Sequence, residues 1–318
     1  MSLVNEPIDP KSLYEVRFRL AECLYHVGAY PGAVKYFSEV RSSDPNGKYA
    51  AVAAARLSEL GTKLGAIAQA RKDFAAAGGS GPHRSRAAYA LGHALAPMSA
   101  TEATTYLQWV EPGTRYYPEA RYHLGAIAAA DESGYQSAVS YFSEAREALP
   151  EGPSNRPGVD VREQERIPRL HDLISLSLAR VHADAGEYLR ALAEYDRVAQ
   201  VSRHRDAALL ESAWVQLRLD QVIPALQNVQ TLLRELPESP RVLEAALLVG
   251  YLTIEQGQFN EAYGHFEDTR RLLENLDAQL AGYAARVSDP ERFYSTLVEQ
   301  ERATRLPAQV SIWVHEGQ

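Results

Sequence analysis

The sequence predicts an all-α fold, a helical solenoid of about seven helix–turn–helix units followed by a divergent C-terminal helical cap. Three observations carry this. Six alanines (Ala33, Ala103, Ala138, Ala191, Ala225 and Ala262) each stand four residues before a bulky side chain: Phe37, Leu107, Phe142, Tyr195, Val229 and Phe266. Three residues further on comes a mostly apolar residue (Val40, Val110, Ala145, Val198, Leu232 and Thr269), completing the i, i+4, i+7 stripe of an amphipathic helix. The steps between the alanines are 70, 35, 53, 34 and 37 residues. The first reads as two periods of 35 with Ala68 at its midpoint, and the third as one period of 34 plus 19 inserted residues. Such a period marks a solenoid, in which each unit buries its apolar face only against its neighbours.

Residues 1–13 precede the repeats as an N-terminal extension, and residues 14–150 form a first block of about four units. In the first unit, Leu20-Ala21 and Leu24 lie on a helix that stops near Gly28, and a second helix runs from Tyr30 until Asp44-Pro45 ends it. Residues 48–80 keep the spacing but little of the pattern, with Leu64, Ala68 and Phe74 remaining. Leu91-Gly92, Ala103 and Leu107 make a third unit. Leu124-Gly125, Tyr135, Ala138, Phe142 and Pro150 make a fourth. Residues 151–167, rich in Pro, Gly and charge, read as an inserted loop. A second block of about three units covers 168–275, with Leu178-Ala179, Gly186, Tyr188 and Ala191, then Ala213 and Ala225, then Val249-Gly250, Gly257, Phe259 and Ala262. Residues 276–318 read as capping helices or the start of a further element, and end in the apolar run Val310, Ile312, Trp313 and Val314.

The succession Leu-Gly/Ala, Gly-x-Tyr, Ala-x-x-x-Phe, Pro resembles the tetratricopeptide repeat over roughly residues 14–275. That resemblance implies a right-handed superhelix that binds a protein or peptide along a concave face lined by the first helix of each unit. Registering the first helices on their Leu-Gly/Ala pairs puts Phe18, Glu22, Tyr25, Tyr89, His93 and Tyr122 on this face in the first block. In the second block the same register selects Leu176, Arg180, Leu210, Trp214, Leu247 and Tyr251. The set is aromatic and apolar, so it suits an amphipathic helix or extended segment anchored on Tyr and Trp. It departs from the repeats that clamp a terminal carboxylate, since Phe18 and Glu22 stand at the first-unit places of that clamp.

Composition narrows the classes. A net charge of −8 argues against sequence-independent nucleic-acid binding, which needs a basic surface. No 18-residue apolar run marks a membrane span. The single cysteine, Cys23, gives neither a disulfide framework nor a cysteine-based zinc site, and its helical surroundings suggest a small core residue. The nine histidines lack metal-ligand spacing, although His93 and His123 hold similar places in successive units. None of the nucleotide-binding, zinc-hydrolase or nucleophile-elbow signatures is present, so no catalytic residue, cofactor or metal is expected. Residues 1–13 show no secretory pattern, which makes the cytoplasm the default compartment and the periplasm the alternative if a leader has been removed.

The expected function is a non-enzymatic scaffold in a bacterial envelope, secretion, motility or regulatory complex. Two alternatives remain at this level: an element that self-assembles by stacking its solenoid ends, and an accessory domain of a larger enzyme.

Overall fold

In a computed structural model, which describes residues 10–150 and 161–287, the chain forms fourteen α-helices and no strand among those residues. It divides into two compact units, Met1–Leu170 and His171–Gln318.

The first unit contains four helical hairpins. They are α1 (Pro10–His26) with α2 (Tyr30–Ser43), α3 (Ala50–Lys63) with α4 (Ile67–Ala77), α5 (Pro82–Leu95) with α6 (Ala100–Gln108), and α7 (Tyr117–Ala129) with α8 (Tyr135–Glu147). Among these, α2, α4 and α6 each also pack on the first helix of the following hairpin. Helix α9 (Val161–Asp184) begins in the first unit and continues into the second. There it pairs with α10 (Tyr188–Tyr195), followed by α11 (Arg205–Arg218) with α12 (Val222–Glu235), and α13 (Val242–Glu255) with α14 (Phe259–Val287). None of the described helices is long and apolar enough to cross a membrane.

In three hairpins a glycine on the first helix meets a bulky side chain on its partner, and this close approach fixes the pair. A Cβ added to Gly92 would lie 2.5 Å from Leu107, one on Gly125 would lie 2.7 Å from the Phe142 ring, and one on Gly250 would lie 2.7 Å from the Phe266 ring. The other hairpins place Ala21, Ser58, Ala179 and Ala213 here, all buried. Glycine inside a helix costs about 1 kcal/mol relative to alanine, and the helix approach it permits offsets that cost.

The structure corrects the reading of residues 48–80. The buried alanine of this hairpin is Ala70, not Ala68, which is exposed. Ala70, Phe74 and Ala77 therefore form the full stripe, and Leu64 sits exposed at the end of α3. Two features hid the unit: Ser58 replaces the usual Gly or Ala, and Gly61 adds a second close approach, with a Cβ there only 2.9 Å from that of Ala70. The turn itself is regular, since Gly65 takes the left-handed φ of 73° that Gly28 takes at 81°. In the weak unit around Ala213 this place is held by Asp220, the one described non-glycine residue with positive φ, at 59°. Aspartate is among the few side chains that tolerate that conformation.

Two further expectations change. Residues 161–167, read as the end of an inserted loop, are the opening of α9, while 151–160 lie outside the described residues. Pro168 conceals this helix in the sequence because a proline interrupts the helical hydrogen-bond ladder. Buried Ile167 and Leu170 on either side of it hold the segment against the core. Cys23 is exposed rather than packed in the core, because it stands two residues after buried Ala21 and points elsewhere on the helix. The expected break at Asp289-Pro290 and the apolar run Val310–Val314 lie outside the described residues.

The same substitution has opposite effects at two glycines. Gly125→Ala drives a methyl into the Phe142 ring and lowers stability by ~1 kcal/mol or more. Gly264→Ala, on exposed α14 with nothing within 4 Å, raises it by ~0.5–1 kcal/mol. Chemical denaturation of the two variants beside the parent checks both signs.

Candidate functional site

The small residue of each first helix sets a register that sorts the neighbouring side chains. Residues three places before it point toward the next hairpin, and those one place after it point to the open face. Phe18, Leu176 and Leu210, expected on the open face, belong to the first group and are core residues. Phe18 stacks on Tyr49 at 4.6 Å and meets Phe37 edge-on at 5.8 Å. Leu210, 1% exposed, is covered by the cluster that includes Val242 and Ala245, and Leu176 by that including Ala207 and Ala208. Tyr89 and Tyr122, in the same register, are half-buried.

In the first unit, the open face carries a ladder of charges across three successive first helices. Arg56 on α3 donates through Nε (2.7 Å) and Nη2 (2.8 Å) to the Glu22 carboxylate on α1, and through Nη1 (3.3 Å) to Glu59. Glu59 also accepts from Tyr25 Oη at 2.5 Å and from Arg86 Nη2 on α5 at 2.8 Å. Arg86 in turn hydrogen-bonds Tyr25 Oη. Arg56 and Glu59 are both buried, so each charge depends on its partners for the solvation that water no longer supplies. Burial, followed by the bond to Glu59, raises the Tyr25 phenol well above its usual range.

The ladder runs into an aromatic cluster. Tyr89 stacks on Tyr116 with centroids 5.5 Å apart, and lies 5.9 Å from both the His93 and His123 rings. The two histidines meet edge-to-face at 4.9 Å, as their matching places in successive units suggested. Tyr122 lies 5.6 Å from both His123 and Phe142. A groove of about 330 Å³ opens here, lined chiefly by Glu59, Lys63, Arg86, Tyr89, His93 and Tyr116. The Lys63 ammonium stands over the Tyr25 and Tyr30 rings at its edge.

In the second unit the open face is more exposed. Arg180 on α9 forks the Glu211 carboxylate on α11 through Nε (2.8 Å) and Nη2 (2.6 Å), and Tyr195 Oη adds a bond to Glu211 at 3.2 Å. Trp214 on α11 donates Nε1 to Glu244 on α13 at 3.1 Å, yet 42% of it remains exposed. Tyr251 on α13 occupies the equivalent place and is 44% exposed. Leu247 is 47% exposed although its register is that of buried Leu210.

Sequence reading missed Arg56, Glu59, Lys63 and Arg86, all on α3 and α5. Glu59 stands immediately after Ser58, so identifying Ser58 as the small residue of its unit places Glu59 on the open face. No group of three or more His, Cys, Asp or Glu side chains suited to a metal ion occurs among the described residues.

The chain matches no family model and no curated protein. It is similar in structure to the apo form of RapI, with a TM-score of 0.56 at 13% identity over 83% of this chain and 77% of that one. It is also similar to the C-terminal part of a TPR repeat-containing protein from Cytophaga hutchinsonii, with a TM-score of 0.55 at 14% identity over 78% and 93%. The fold is thus a helical repeat of the tetratricopeptide type.

His123 gives the first unit a pH dependence. Burial, and secondarily the nearby His93, lowers its pKa from the usual 6.5 to about 4. As pH falls through this interval, the unfolded chain takes up the proton before the folded one. The stability associated with neutral His123 is therefore complete above about pH 6.5 and lost as pH falls toward 4. Melting midpoints between pH 7 and 4 should fall less steeply for His123→Phe, which keeps a ring in the cluster, than for the parent.

Proposed function

We propose that this chain is a non-enzymatic scaffold that binds a segment of another protein on the open face of its first helices. The observation that carries this is the row Arg180, Trp214 and Tyr251, one from each of three successive first helices of the second unit. Trp214 and Tyr251 present large rings to solvent, and Glu244 holds the Trp214 indole through its Nε1. A ring fixed in this way loses little conformational freedom on binding, which is why Trp and Tyr dominate binding energy at interfaces. The spacing between successive helices suits an extended segment or an amphipathic helix laid across them. The resemblance to bacterial repeat proteins favours a subunit of a multiprotein complex, and the fold of the structural neighbours is compatible with that role.

The first unit contributes less apolar surface and more fixed charge. Its groove beside Lys63, Arg86 and Tyr89 offers fixed charge to a polar segment on its own account. Tyr122 is a poor test position because its ring lies against buried Phe142.

Affinity capture from the source cells, with mass spectrometry, compares the parent protein with Trp214→Ala/Tyr251→Ala. The double variant should fold normally and retain less than about a tenth of the partner, since anchor residues each contribute on the order of 2 kcal/mol. Undiminished capture by a folded variant rejects the open face of the second unit as the docking surface.

A further inference from the structure

Two carboxylates flanking Tyr251 lack the arginine that neutralises others on the open face. In the first unit Glu22 pairs with Arg56, and Glu59 with both Arg56 and Arg86. In the second unit Glu211 pairs with Arg180. Glu244 and Glu255 are exposed, and neither has an ion-pair partner among the described residues. Both lie on the stripe of α13 that carries Tyr251, Glu244 two turns before it and Glu255 one turn after. Glu244 also reaches across to the Trp214 indole. Helix α13 itself contains no lysine, arginine or histidine.

The end of α13 also runs against the usual electrostatics of a helix. A helix C-terminus carries partial negative charge and favours a cation. Helices α1, α3, α5, α9 and α11 each have Lys, Arg or His in their last turn. Helix α13 has none there and closes on Glu255. The carboxylate and the helix end therefore add, next to a ring that is 44% exposed.

We infer that the segment docked across Trp214 and Tyr251 is basic, taking the docking face proposed above as given. Its lysine or arginine side chains lie over the two rings, whose π-faces attract cations, and pair with Glu244 and Glu255. Arginine suits the site best, because its planar guanidinium stacks on a ring and forks a carboxylate at once. The occupant is a segment of another protein. A second copy of this chain, with its net charge of −8, is a poor source of such a segment. Unpaired carboxylates also steer a cationic segment to the face, an attraction that salt screens.

A random twelve-residue peptide display library, selected on the full chain, tests this. Sequences enriched on the parent but lost on Trp214→Ala/Tyr251→Ala should carry several Lys or Arg and few Asp or Glu. A synthetic peptide of the strongest such sequence should bind Glu244→Gln/Glu255→Gln roughly tenfold more weakly than the parent. Its affinity for the parent should fall by a similar factor between about 50 and 300 mM salt. Neutral or acidic ring-dependent sequences, or a basic peptide that binds the parent and the glutamine variant equally, overturn the basic partner and leave the docking face standing. No ring-dependent sequence at all overturns both.

Discussion

The fold depends on one recurring contact, a residue with little or no side chain on a first helix pressed against a large one on its partner. At Gly125 and Phe142 the approach is so close that a single methyl does not fit without displacing the ring. Where alanine or serine holds that place, as at Ala21 and Ser58, it is buried all the same. The contact sets both the distance between paired helices and their rotation. Once rotation is fixed, every other side chain on the first helix has a determined direction.

That determination separates stability from recognition. Residues three before the small one are consumed in joining hairpins, which is the fate of Phe18, Leu176 and Leu210. Residues just after it are left on the open face, where they meet their counterparts from neighbouring hairpins. The first unit places Glu22 and Glu59 in this row, where Arg56 and Arg86 from elsewhere on α3 and α5 satisfy them. Truncating one member of such a set strands its partner, so the ladder ties hairpins together whatever it binds. The second unit places Trp214 and Tyr251 in the same row, where burial is incomplete and binding energy remains to be realised.

The architecture was legible in the sequence because the alanine and the bulky residue four places on are packing requirements that recur with every unit. The unit at 48–80 was obscured because Ser58 and Gly61 both serve as close-approach residues, which displaced the apparent register by two, from Ala70 to Ala68. The opening of α9 was hidden by Pro168, whose local preference is overridden by buried Ile167 and Leu170. The register puts Glu22, His93, Arg180, Trp214 and Tyr251 one place after the small residue of their helices, and of these all but half-buried Glu22 are exposed. The residues that a neighbouring hairpin covers were not readable, because burial of Leu210 but not Leu247 depends on which element packs over each in space rather than on neighbours in sequence.

The most direct test of the account is the register itself. In a deuterated sample with alanine methyls and glycine α-positions protonated, together with labelled Phe rings, nuclear Overhauser contacts should join Gly61 to the Ala70 methyl and Gly125 to the Phe142 ring. Absence of both, or a contact from Gly61 to Ala68 in place of Ala70, would contradict the packing rule from which the open face is derived.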